Sequence, residues 1–326
     1  MRVFLAILVL TLAGCAGGLP LQGYDLPAAN VELRATPFFP QQRYQCGPAA
    51  LAMVLMADGV TVTPEDLVPY VFLPERRGSL QEEMVATTRR YDRMPYVLQP
   101  HFDDLLAEVA AGTPVLVMLN LGVRVLPRWH YAVVIGYHTS SDSLLLRSAT
   151  SARLRMHRTR FQSAWLRADN WAMVVVQPAA PPVTARSEDW LRTASAFEEL
   201  GQAALAAQAY EAATRRWPRQ PLAWQALANA RYVMDDLAAA EVALRRALQL
   251  APSAAAHNNL AHILQARGCP AEAAAQIGFA EAMPDAATFS AVLERTRAVI
   301  EANGNHHDGH CAPADTYLSR EVSSDK

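Results

Sequence analysis

In the second half of the chain four residue pairs recur at one spacing: Trp190 and Trp224, Ala206 and Ala240, Ala213 and Ala247, and Pro218 and Pro252 each lie 34 positions apart. A fixed period of this length is the mark of stacked supersecondary units, each burying its apolar face only against its neighbours. From about Ser187 onward the chain is Ala-rich and without strand pattern, so the stack, or failing that an Ala-rich bundle, is all-α. Small alanines suit close approach of paired helices, and a proline ends a helix. A third unit, HNNLAHILQARGCPAEAAAQIGFAEAMP, continues from His257 with a one-residue slip, placing Gly268, Ala273 and Ala280 at the turn and close-packing positions.

Over roughly Glu188 to Pro284 these residues resemble the tetratricopeptide repeat. The resemblance implies two antiparallel helices per unit, an aromatic opening the first and a proline closing the second. It also implies a concave groove that holds a peptide or a partner protein.

The first half has a different grammar. From about Val31 to Gln177 short β-like and helical runs alternate, and the Pro- and Ala-rich PAAPPVTARS, Pro178 to Ser187, reads as a semi-rigid linker. With 326 residues, 52% hydrophobic and 18% charged, the chain can bury a sizeable core and has room for about two domains. Its formal charge of -2 gives no electrostatic footprint for nucleic acid. The expected organisation is an α+β domain over 31–177, a linker over 178–187, a repeat domain over 188–300 and a disordered tail over 301–326.

The N-terminus, MRVFLAILVLTLAGCAGG, has a short positive region, an apolar core too short to span a bilayer, and then small residues. It reads as a signal peptide over 1–14, followed by a tether over 15–30. Leu12-Ala13-Gly14-Cys15 resembles the bacterial lipobox, which implies diacylation of Cys15 and a membrane anchor of more than one acyl chain. Ala16 in place of aspartate implies the outer membrane, facing the periplasm. In that oxidising compartment Cys46, Cys269 and Cys311 remain. Cys269 and Cys311, both in the C-terminal half, could pair and leave Cys46 as the free thiol. The tail cluster NHHDGHC, containing His306 to Cys311, carries metal-ligand types without a second cluster or a fixed scaffold, so no metal and no cofactor is assigned.

Cys46 stands in FFPQQRYQCGPAALAMVLMADG, where the run from Ala49 is helical in propensity and ends at Gly59, a good residue just past a helix end. Pro48 fits the first turn. A helix N-terminus favours a thiolate through its unpaired N–H groups and dipole, yet a buried structural cysteine fits the same place. Downstream, RWHYAVVIGYH sets His130 at the start of a strand buried on both faces, where an imidazole is held rigidly enough to serve as a base. Gln41 and Gln42 precede Cys46 by five and four residues, near enough for a side-chain amide to share an oxyanion pocket with the Cys46 N–H.

Glutamine before CGPAALAM, followed by HYAVVIGY, resembles papain-like cysteine peptidases of the double-glycine leader (bacteriocin-processing) family, over roughly Thr36 to Gln177. The resemblance implies a papain-like α+β fold, with a helical lobe headed by the nucleophile and a twisted antiparallel sheet carrying the base. Cys46 is then the nucleophile, His130 the general base and Gln41 the oxyanion donor. Helices are expected around Pro64 to Tyr70, Leu80 to Tyr91 and Asp103 to Ala111. Strands are expected around Val115 to Leu119, Tyr131 to Tyr137, Ser143 to Arg147 and Trp171 to Val176. Where the family places an orienting aspartate, SLLLRSAT offers Ser148, with Asp142 in the preceding turn as a substitute. Serine can set the imidazole tautomer but brings no charge. The expected activity is peptide-bond hydrolysis on a peptide or protein substrate. A catalytically weak peptide-binding adaptor, or an amidase or transferase on a non-peptide amide, would use the same residues.

Overall fold

The computed structural model describes residues 19–41 and 44–303. Cys15 with the signal segment, Gln42, and the tail with its His306 to Cys311 cluster lie outside the described residues. Contacts divide the chain into two units, 19–175 with Pro182–Thr184, and Val176–Pro181 with 185–303.

The first unit is α+β. After β1 (Asn30–Glu32) the chain enters α1 (Cys46–Ala57), then α2 (Pro64–Val71) and α3 (Gln81–Arg90). There follow β2 (Met94–Val97), α4 (Phe102–Ala110), β3 (Val115–Asn120), β4 (Trp129–His138), β5 (Ser143–Ser148), β6 (Ser151–His157), α5 (Arg158–Leu166) and β7 (Ala172–Val176). The sheet runs β2-β7-β3-β4-β5-β6, with β1 added against the far half of β4. The pairs of β4 with β1, β3 and β5 are antiparallel.

Helix α1 is the centre of this unit. Every residue from Gly47 to Leu55 is buried, because the run has no polar face to turn to water. It packs with α2 and with the sheet face carrying Leu116, Tyr131, Val133, Ile135 and Leu145. The helix stops at Asp58, and Gly59 takes φ +85, the left-handed conformation that lets a chain leave a helix. Strand β4 is buried from Tyr131 to Tyr137, as its unbroken apolar composition requires. Gly136 is needed there: a Cβ would lie 2.1 Å from the Val31 carbonyl oxygen, so only glycine lets β1 pair across it.

The segment read as a linker is partly held in this unit. Thr184 donates from both its N–H and its hydroxyl to Glu108 Oε1, at 2.7 and 2.6 Å.

The second unit is the expected helical array. It comprises α6 (Ser187–Glu199), α7 (Ala203–Arg216), α8 (Pro221–Val233), α9 (Leu237–Leu250), α10 (Ala254–Ala266), α11 (Pro270–Glu281) and α12 (Ala286–Asn303). Three tetratricopeptide-like pairs are followed by a last helix packed on α10 and α11. The repeated alanines 206, 213, 240 and 247, with Ala273 and Ala280, are fully buried. Trp190 is fully buried and its indole N–H donates to the Ala209 carbonyl at 2.8 Å, tying α6 to α7. Pro218 and Pro252 each follow a helix end by two residues. Cys269 is disulfide-bonded and Cys46 is free, while Cys15 and Cys311 lie outside the described residues.

Candidate active site

Cys46 is the first residue of α1. The residue before it, Gln45, makes no side-chain cap, and Tyr44 is turned to φ 68, so the chain doubles into the helix without a side chain over the Cys46 and Gly47 N–H groups. The thiol is half-buried. Burial pushes it above its ordinary range, while the backbone amides of Tyr131, Gly47 and Cys46 itself pull the other way.

His130 is the second residue of β4, paired with Leu119 of β3. Tyr131 is buried in the core, whereas His130 is half-buried at the start of the strand, and both line the cleft described below. The ring Nε2 lies 2.8 Å from Ser148 Oγ, and Ser148, the last residue of β5, is 5% exposed. Nδ1 is the ring nitrogen that Ser148 does not engage. Burial, and then the positive charge of Arg128, hold the imidazole below its ordinary range. Arg128 was not singled out by the sequence reading, since nothing in one sequence distinguishes it from any other surface arginine.

Gln41 reaches the same place from the other side. Its backbone N–H donates to the Ala149 carbonyl at 2.9 Å, its Oε1 accepts from the Ala149 N–H at 3.0 Å, and its Nε2 donates to the Tyr131 carbonyl at 3.2 Å. One amide hydrogen of Nε2 is left over. Gln41 thus clasps β4 to the β5–β6 turn, next to Ser148 on one strand and His130 on the other.

Gln41, Cys46, His130, Tyr131 and Ala149 line one cleft of about 1280 Å³. Its opposite wall is the segment from Glu75 to Glu82. That wall sits on α1: a Cβ on Gly47 would lie 2.2 Å from Ser79 Oγ, and the Tyr131 hydroxyl donates to the Ser79 carbonyl at 3.4 Å. Gly47 is required by this close approach, and the sequence offered no sign of it beyond the CGP tripeptide.

Asp142, the alternative orienting group, is elsewhere. It precedes β5, whereas Ser148 ends it, and its carboxylate accepts from Arg158 Nε and the Leu21 N–H. Its charge is engaged at the far end of the strand and cannot serve His130. Among the described residues no cluster of side chains is arranged to hold a metal ion.

Residues 33–173 match the model of the Peptidase_C39 like family. The first unit is similar in solved structures to a C39-like peptidase from Bacillus anthracis, 20% identical, over 46% of this chain and 98% of that one, with a TM-score of 0.39. It is also similar to the peptidase domain of Streptococcus ComA, a bi-functional ABC transporter of a quorum-sensing pathway: 21% identical, 44% and 98% covered, TM-score 0.36. The helical array is similar to the TPR2B domain of yeast Sti1, solved in complex with pHsp70: 15% identical, 36% and 96% covered, TM-score 0.34. No curated protein matches the chain.

Proposed function

We propose that the chain is a lipid-anchored cysteine peptidase facing the periplasm, with Cys46 as nucleophile, His130 as general base and acid, and Gln41 with the Cys46 N–H as oxyanion donors. The observation that carries this reading is the His130 Nε2 to Ser148 Oγ contact of 2.8 Å, made on a cleft that Cys46 and Gln41 also line. It commits one ring nitrogen to orientation and leaves the other for the thiol.

The thiol proton passes to His130 Nδ1 as Sγ attacks the carbonyl carbon of the peptide bond. The carbonyl electron pair moves to oxygen, which the Cys46 N–H and the spare Gln41 hydrogen stabilise. Collapse breaks the C–N bond, the amine leaves with the proton from His130, and a thioester remains. Water then attacks with His130 as base, releasing the carboxylic acid and restoring the thiol. With the thiol raised and the imidazole lowered, the resting pair is neutral, and the proton moves as substrate is attacked. The repeats would hold a peptide or protein partner or substrate, raising its effective concentration at the cleft. The anchor is Cys15, in the outer membrane.

A second reading, a peptide-binding adaptor with little turnover, is favoured by Ser148, which orients His130 without stabilising its charge. A peptide carrying a thiol-directed warhead separates the two. Cys46 should be labelled in the native protein, and His130→Ala should suppress labelling while a denatured control still reacts. Equal labelling with and without His130 sinks the enzyme reading. Incorporation of a palmitate analogue should be lost in Cys15→Ala.

A further inference from the structure

Strands β3 and β4 are joined by LGVRVLPRW, Leu121 to Trp129, a turn that presents apolar side chains to solvent. Val125 is 93% exposed, Leu126 72% and Val123 58%, with Trp129 at 54%. The turn is not loose. Asn120, itself buried, accepts through Oδ1 from the N–H groups of Gly122 and Arg128, at 2.9 and 3.0 Å. The Leu121 N–H donates to the Arg128 carbonyl and the Leu126 N–H to the Val123 carbonyl. Gly122 is packed so that a Cβ would lie 2.3 Å from the Leu126 carbonyl oxygen. A braced backbone of this kind holds the tip side chains outward and keeps them from folding back onto the domain.

We infer that this hairpin tip docks into an anionic lipid surface, with Val123, Val125 and Leu126 entering the headgroup–acyl boundary and Arg124 and Arg128 meeting lipid phosphates. The segment carries two arginines and no acidic residue, which is the charge such a surface selects. Arginine also suits that boundary because its stem is apolar and its guanidinium pairs with phosphate. The tip is convex and a single turn wide, far below the roughly 800 Å² per partner of a stable protein interface. Val123, Val125 and Leu126 do not line the cleft, whereas Arg128, Trp129 and His130 do. Docking therefore sets the mouth of the cleft at the membrane surface and directs it to peptides lying there.

Lipid binding does not depend on the catalytic reading, so Cys46→Ala should bind as the parent does. The test is flotation of the mature chain, residues 16–326 without an acyl group, on phosphatidylcholine vesicles with and without phosphatidylglycerol. The chain should float with the anionic vesicles and be released by high salt. Arg124→Ala should weaken binding roughly fivefold, and Val125→Asp with Leu126→Asp should abolish it with the melting temperature unchanged. Flotation of the double variant equal to the parent, or none by the parent, overturns the proposal. So does a double variant that leaves lipid binding intact but raises KM for a soluble peptide or dissolves a dimer of the chain.

Discussion

Replacing Ser148 by aspartate should turn the neutral Cys46–His130 pair toward thiolate and imidazolium. His130 Nε2 is 2.8 Å from the hydroxyl that the carboxylate would replace, so the new charge would sit about 4 Å from the centre of the imidazolium charge. At an effective dielectric of about 20 that separation is worth about 4 kcal/mol. Screening through the cleft and the carboxylate's own desolvation oppose it, and halving the figure for both leaves about 2 kcal/mol. That is roughly 30-fold in the population of the reactive ion pair. The assay is the second-order rate of Cys46 alkylation by iodoacetamide at neutral pH, read by mass spectrometry. Ser148→Asp should react roughly 30-fold faster than the parent, Ser148→Ala should be no faster, and adding His130→Ala to Ser148→Asp should remove the gain. A Ser148→Asp protein that melts like the parent and alkylates at the parental rate would refute the claim that the second ring nitrogen of His130 faces the thiol.

Three further outcomes follow, two at the site and one in the helical array. Peptide hydrolysis should fall as pH drops through the His130 value, which burial and Arg128 hold below the ordinary imidazole range, because the base is then already protonated; alkylation of the free protein should level off at a higher pH than that of an unperturbed thiol, because burial raises Cys46. A levelling near pH 5 would mean a preformed ion pair. Gln41→Ala should cut turnover by about 10²-fold or more and weaken a peptide aldehyde, whose adduct carries the oxyanion, while leaving iodoacetamide alkylation within about twofold. Trp190→Ala should destabilise the helical array by about 3–5 kcal/mol, measured by urea unfolding, because it empties a fully buried site and leaves the Ala209 carbonyl without its indole donor; a loss below about 1 kcal/mol would count against that packing role.

What could be read from the sequence divides along physical lines. The all-apolar α1 and β4 and the 34-residue period are strong patterns because burial on every side leaves only one kind of residue acceptable. The strand β6 and helix α5 escaped notice. Strand β6 is a sheet edge with exposed Ala152, Arg153 and Arg155; it pairs with β5, and its Arg153 reaches Glu32, more than a hundred positions away. Strand β2 contains Pro95, which argues against a strand in any local reading. At the site, Cys46, His130 and Ser148 could be placed from motif and order, whereas the charge of Arg128, the support of Ser79 beneath Gly47 and the engagement of Asp142 by Arg158 depend on contacts that no local pattern encodes.

The Gln41 clasp has a bearing on when this chemistry can exist at all. The groups around the thiol come from residue 41, residue 46, the start of β4 and the turn after β5, and they meet only when the bonds from Gln41 to Ala149 and Tyr131 have formed. Those bonds span 90 and 108 residues, so a fragment that ends before residue 149 lacks the full clasp beside Cys46 and His130. Until the sheet closes, Cys46 is an ordinary thiol. Any reactivity peculiar to Cys46 would therefore date from the closing of the sheet.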